Sequence, residues 1–486
     1  MKKQKIAIIG AGVAGASTAL YLSQLGLDIT LYEQQKSVVS GPPWCHLHAG
    51  GNLYREISDE QCFSLLSQSI DFVKLYPYVV DYRPTVIALA DDDKSTPSSL
   101  LPRLKRLQKE YQRLIDLDKN NQVLGKSENY YKLYDHESMK ALQKAQAIKN
   151  PKTNDEWMIA VAKNLDLKKV QFPLILVQEY GLNIFRLAGG LMLDLKASKN
   201  VSLKLETSVE DIQKDALGWS IISTKQNQNK EKKQNKEQQT FDYLINAAGF
   251  QTGKIDDMLG IKCERMVEFK ASYVAQWQES KTVAFPEIII HGERGTPKGM
   301  AQFTPYPNGY FQLHGMTPNI TLYEDGLVKS SKTSSQPQLK KKFLDKVNEG
   351  WEQEEIKQRT HNAIAHVANF IPSFSEATVG SQPLFGAQQI LGKDATLRVA
   401  EVSFPLNNYA RCEIIKVSSV TDMMQGIVKE LMDLNYLSPL SLKYKPSLCQ
   451  RVDEKDVKNK AKNIAKERGY PADMAERNVK FIMQVD

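Results

Sequence analysis

The chain has 486 residues, of which 42% are hydrophobic and 25% charged, a balance that excludes a disordered chain and predicts two or three domains rather than one core. The net charge of +8 is concentrated in KQNQNKEKKQNKEQQ (225–239) and in a Lys-rich end from about residue 443, both of which read as solvated appendages, so no specific nucleic-acid partner is expected. Five cysteines, at 45, 62, 263, 412 and 449, form no C-x-x-C pair, which excludes a zinc knuckle and a disulfide framework.

In chain order, Lys5–Gly10 is a short β-branched run ending in glycine. Ala14–Leu25 carries apolar residues at helical spacing before Gly26 stops it, and LDITLYE (27–33) resumes as a strand. That is a β-α-β unit. A polar loop at 91–99 leads into an amphipathic helix, and 100–165 reads as a helical insertion. VSLKLETSVEDI (201–212) and GWSIIST (218–224) predict strands, and TFDYLINAAGF (240–250) predicts a buried strand ending in small residues. From about 264 to 320 the pattern is β-rich, with a turn at Pro307-Asn308-Gly309. Helices are predicted over 338–370, strands around 377–402 and a helix over about 418–434. The first apolar run is too short for a secretory signal and no later stretch is long enough to cross a bilayer, so the expected location is the cytoplasm.

The β-α-β unit holds Gly10-x-Gly12-x-x-Gly15 between strand and helix, and Glu33 closes the next strand eighteen residues after the third glycine. In this context the pattern is a dinucleotide fingerprint. Gly10 allows the tight turn, Gly12 lets the backbone approach a pyrophosphate, and Gly15 lets helix and strand pack closely. Val13 and Ala14 open the helix whose free N–H groups face the phosphates. Glu33, with Gln34 beside it, is placed to accept from a ribose hydroxyl, and its charge would repel a 2′-phosphate. The chain leaves this region after one β-α-β unit and returns near 201–250, without a second G-x-G-x-x-G or a C-x-x-x-x-C redox pair. One dinucleotide, FAD, is therefore expected.

Asn246-Ala247-Ala248-Gly249, followed by QTGKIDDMLGI, resembles the D-amino-acid oxidase superfamily of FAD-dependent oxidoreductases. The resemblance implies an α/β fold: a discontinuous Rossmann-like FAD-binding domain (1–90, 166–255 and 371–435) and an α+β substrate domain with an antiparallel sheet (91–165 and 256–370), followed by a basic tail (436–486). It implies cofactor contacts from Ala248 and Gly249, from the backbone of Val209, and from Asn407 and Asn408 in the late loop. HLHAGGNLY (46–54) is similar to the His-Ala-Ala-Gly of dimethylglycine and sarcosine dehydrogenases, which would lay His48, Ala49 and Gly50 against the isoalloxazine. In some relatives the matching His is bonded to the flavin. Three donors within four residues, Cys45, His46 and His48, point in divergent directions if extended, and no metal is expected.

Substrates of the family are commonly amino or hydroxy acids, which need a cation for the carboxylate. Arg55, Arg265 and Arg411 are the candidates, and Tyr54 and His314 are candidates for binding or for accepting a proton. The expected function is oxidation of a C–N or C–O bond of a small anionic substrate by hydride transfer to flavin, with electrons passed to oxygen, a quinone or another carrier. The basic tail suggests loose attachment to the inner face of a membrane. Two alternatives stay open: a flavoenzyme acting on RNA or protein, and a non-catalytic dinucleotide-binding sensor.

Overall fold

A computed structural model describes residues 3–40, 57–216, 218–226, 236–438 and 452–480. The N-terminal unit forms as its pattern predicts: β1 (Lys5–Ile9), α1 (Val13–Gln24) and β2 (Asp28–Tyr32). β1 is an inner strand, fourth in a six-stranded sheet that runs Val402–Leu406, Tyr409–Cys412, Tyr243–Asn246, β1, β2, Val201–Lys204. All neighbours are parallel except the outermost pair, Val402–Leu406 with Tyr409–Cys412. A three-stranded antiparallel sheet (Thr207–Asp215, Gly218–Lys225, Lys236–Phe241) stands beside it.

The reason for this assembly is short contact between backbones. Gly10 has φ +94°, and a Cβ there would stand 2.4 Å from the Ala247 carbonyl oxygen. A Cβ on Gly15 would stand 1.9 Å from the Gly10 carbonyl oxygen, so α1 rests on the end of β1 with no room for a side chain. The helix is small-residue rich over Ala14–Ala19 and is buried along that whole stretch.

A second, nine-stranded sheet is mostly antiparallel, with Glu287–His291 running parallel to Thr85–Leu89. Its long strands Arg265–Gln276 and Thr378–Leu391 pair with each other. Alternation gives it two unlike faces. Ala271, Tyr273, Ile288, Ile290, Phe303, Phe311 and Leu313 pack on Trp157, Met158, Ile364 and Val367 of two covering helices, Asn154–Asn164 and Gln353–Ala368. The opposite face carries Lys270, Ser272, Glu287, Gln302, Thr304, Gln312 and His314.

Thr85–Leu89, Leu174–Val177 and Thr378–Leu391, which fall within the segments assigned to the nucleotide-binding domain, are strands that pair in this second sheet. The helix Leu101–Leu117, expected in the cap, packs on α2 (Asp59–Leu75) in the core around α1. A short apolar run says that a segment is buried, not which sheet it joins.

The C-terminal segment also departs from expectation. Residues 452–480 are no solvated appendage: the helix Glu454–Glu467 buries Val457, Ala461, Ile464 and Ala465 against the helix Ile184–Ala197. Gly189 makes the approach close, since a Cβ there would lie 3.0 Å from the Ala461 nitrogen. Arg186, 2% exposed, ties Glu454 to the core. Among the described residues no helix is long and apolar enough to cross a membrane.

The glycines separate two roles. Gly15→Ala is expected to lower stability by about 1–3 kcal/mol through overpacking, seen as a lower melting temperature. Gly12→Ala, whose Cβ would meet nothing within 4 Å, should leave the melting temperature of the cofactor-free chain nearly unchanged.

Candidate functional site

A cavity of about 900 Å³ opens at the C-terminal ends of β1, β2 and Tyr243–Asn246, at the large end of the range for small-molecule sites. Its walls are Ile9, Gly10 and Gly12, the stretch Tyr32–Ser37, Thr207–Val209, Ala247–Gln251, Lys346–Gly350, Gln382, Phe385–Ala387, and Glu467, Arg468 and Tyr470. Of the sequence-predicted cofactor residues, Gly10, Gly12, Glu33, Gln34, Val209, Ala248 and Gly249 are brought together here. Val13, Ala14 and Gly15 form the first turn of α1 behind them.

The residues fit an adenine dinucleotide. Gly12 caps α1 without a side-chain hydrogen bond, so the helix presents backbone N–H groups and its positive end to the cavity. The open space at Gly12 is where a phosphate needs to come close. Glu33 is held by two backbone donors: Ala11 N–H to Oε2 at 2.8 Å and Gln35 N–H to Oε1 at 2.8 Å. Each oxygen keeps a further lone pair for a ribose hydroxyl. Burial raises the Glu33 carboxyl pKa, against the lowering effect of those two bonds and of Arg468.

Asn407 and Asn408 are elsewhere. They form the turn that feeds the beginning of Tyr409–Cys412, at the opposite end of the parallel strands from the cavity. The Asn408 carbonyl accepts from Trp219 Nε1 at 2.7 Å and the Asn407 carbonyl from Lys214 Nζ at 3.0 Å. The expected flavin contact from this turn is therefore corrected; strand direction, invisible in the one-dimensional pattern, decides it.

Arg411 and Arg265 do not serve as a free carboxylate clamp either. Both guanidinium groups converge on Asp256, which is fully buried. Arg411 also pairs with Glu413 at 2.9 Å, and Tyr409 OH donates to Asp256 at 3.0 Å. These are closed structural charges, neutralised by their own neighbours. His48, Ala49, Gly50, Tyr54 and Arg55, with Cys45 and His46, lie outside the described residues.

His314 stands on the polar face of the nine-stranded sheet. Tyr306 OH donates to Gln312 Oε1 at 3.0 Å, and Gln312 Nε2 donates to Ser272 Oγ and to His314 Nε2, each at 3.0 Å. In this arrangement His314 Nε2 is an acceptor. On the same face Lys270 Nζ lies 2.6 Å from Glu268, which Arg294 also engages. Burial lowers the Lys270 ammonium to about 8, opposed by Glu268 and reinforced by Arg294 and Arg398. Two cations thus pair with one carboxylate, with Arg398 adding further positive charge near Lys270. Lys270 pairs in register with Gly386, a cavity-wall residue.

Sequence reasoning missed Lys270 and Arg468. FKASYVA (269–275) alternates apolar and polar residues, the available signal for a two-sided strand. Val457, Ala461, Ile464 and Ala465 follow helical spacing, the signal that the C-terminal helix docks. Burial lowers the Arg468 guanidinium to about 10, which leaves it charged at neutral pH.

The family model described as "DAO: FAD dependent oxidoreductase" matches residues 5–393. Among solved structures, the chain is similar to the glycerol-3-phosphate dehydrogenase from Bacillus halodurans complexed with FAD, with TM-score 0.54, 12% identity, and coverage of 97% of this chain and 74% of that one. It is similar to glycine oxidase from Geobacillus kaustophilus, with TM-score 0.53, 12% identity and coverage of 89% and 95%. L-amino acid deaminase from Proteus vulgaris gives TM-score 0.55, 10% identity and coverage of 94% and 96%. None of the curated proteins matches the chain in sequence.

Asp256 is expected to be irreplaceable for folding. Asp256→Ala leaves two buried guanidinium groups facing each other and should cost about 3–5 kcal/mol, measured as a drop in the unfolding midpoint.

Proposed function

The chain belongs to the DAO family of FAD-dependent oxidoreductases, and we propose that it oxidises the C–N or C–O bond of a small anionic substrate of the amino- or hydroxy-acid type, on the polar face of the nine-stranded sheet. The observation that carries this reading is the excess of positive charge around Lys270 on a buried polar strand face that adjoins the cavity wall. Relatives of the same fold bear names that refer to glycine, L-amino acids and glycerol 3-phosphate, all of them small molecules that carry an anionic group.

FAD, when bound, would supply the hydride acceptor, with oxygen, a quinone or another carrier as the final electron acceptor. The chain's own residues bind and orient. Lys270, with Arg294 and Arg398 behind it, holds the substrate's negative end. The Tyr306–Gln312–His314 row presents polar atoms toward the substrate amine or hydroxyl, from which a proton leaves as the C–H bond breaks. By the resemblance of HLHAGGNLY to the family's flavin-facing segment, His48, Ala49 and Gly50 would hold the flavin ring and Tyr54 and Arg55 would bind the substrate. Gly12 and the N-terminus of α1 would hold the pyrophosphate, and Glu33 the ribose.

Anaerobic mixing of the purified flavoprotein with a panel of amino and hydroxy acids tests the reading. One class should bleach the visible flavin band; a panel in which only uncharged compounds bleach it, or none does, would sink it. Lys270→Met should raise KM for the active compound about tenfold or more, from loss of a charged hydrogen bond, with a smaller effect on kcat. Because Lys270 loses its proton as pH rises through about 8, substrate affinity should be full below that pH and decline above it. Lys270→Met should abolish that alkaline limb in a KM–pH profile.

A further inference from the structure

The helix Glu454–Glu467 ends in a turn, Arg468–Tyr470, that reaches the cavity from the far end of the chain. On one side, Arg468 Nη1 donates to the Val39 carbonyl at 3.0 Å, and Nη2 donates to Ser37 Oγ and the Val38 carbonyl, each at 2.8 Å. On the other side, the Arg468 carbonyl accepts from Gln382 Nε2, and Tyr470 OH donates to the Pro383 carbonyl at 2.7 Å. The turn therefore joins the loop after β2 to the strand Thr378–Leu391 across one wall of the cavity.

The loop it grips is a strained one. Val39 is β-branched and buried, yet has φ +52°, a conformation such residues avoid. It persists because it is held at both ends. Its N–H donates to the Ala11 carbonyl at 2.8 Å, its carbonyl accepts from Arg468, and the Ala11 N–H donates to Glu33. Arg468, Val39, Ala11 and Glu33 form a continuous chain of bonds through the fingerprint loop. The guanidinium's acceptors here are two carbonyls and a hydroxyl, and Glu33 and Glu467 act on its charge from farther away.

We propose that the C-terminal helix and its closing turn are a built part of the dinucleotide site, with Arg468 the positioning residue that holds Ser37–Val39 and the Ala11–Glu33 contact in the geometry that receives the cofactor. The proposal rests on the reading that FAD occupies this cavity. It makes the end of the chain, beyond the 5–393 span matched by the family model, a requirement for cofactor retention rather than an accessory.

The test is flavin titration of the full-length chain stripped of FAD, followed by fluorescence quenching, with a melting curve for each variant. Arg468→Gln removes the charge and most of the grip and is expected to weaken FAD binding about tenfold or more. Arg468→Lys keeps the charge with fewer donors and should bind FAD more tightly than the Gln variant and less tightly than the parent. Lys462→Ala, on the outer side of the same helix and paired with Glu476, should change neither affinity nor melting. Gly12→Glu, which sets a carboxylate into the cavity, should abolish binding. If Gly12→Glu abolishes binding while Arg468→Gln stays within twofold of the parent, the role of Arg468 is overturned and the cavity reading stands. If Gly12→Glu binds FAD normally, the cavity reading itself fails. Should the Gln variant not fold, Arg468→Lys decides: an affinity equal to the parent overturns the proposal.

Discussion

Everything in this fold is arranged around a backbone contact that tolerates no side chain. Gly15 of α1 sits on the carbonyl of Gly10, and Gly10 in turn sits on the carbonyl of Ala247. Those two approaches fix the N-terminus of α1 against the ends of β1 and Tyr243–Asn246. They aim the free N–H groups of the helix at one opening, and they bring the return strand, about 230 residues later in the chain, to the same point. An anion-binding cavity follows from this geometry before any charged side chain is considered.

The second sheet sets a chemically different face beside the cavity, joined to its wall through Gly386. One face is an ordinary apolar core under two helices, while the other carries amides, hydroxyls, an imidazole and charges that are largely buried. Such a face costs free energy unless its groups are satisfied. Two clusters meet this demand in different ways. Around Asp256, acids and bases balance and the hydrogen bonds close on one another, so the cluster joins elements without offering a charge. Around Lys270, two cations share Glu268 and Arg398 adds positive charge nearby, and the surplus is what an anionic substrate would satisfy. Buried arginines are thus poor indicators of a carboxylate clamp until their partners are known.

The C-terminal helix shows how composition can mislead. Its lysines give it the look of a solvated tail, yet they occupy one side of a helix whose other side is a stripe of Val, Ile and Ala packed on Gly189. The apolar stripe is short, and it becomes a docking face only because a glycine on the facing helix leaves room for it. Its last turn then reaches the loop after β2, so residues separated by more than 400 positions share one wall.

The N-terminal β-α-β unit, its three glycines, Glu33 and the Ala-Ala-Gly return strand were legible in the amino-acid order. Local sterics and the fixed spacing of the glycines and Glu33 leave few alternatives there. The alternating strands and the Pro307-Asn308-Gly309 turn were legible for the same reason: period two and a left-handed Asn are local properties. What tertiary structure alone decided is pairing. It assigned Thr85–Leu89 and Thr378–Leu391 to the second sheet, set Asn407 and Asn408 at the wrong end of the strands for a cofactor, spent Arg265 and Arg411 on Asp256, and brought Arg468 to the cavity. Each of these depends on contacts between residues far apart in the chain, and a one-dimensional pattern records that a residue is buried or charged without recording which partner meets it.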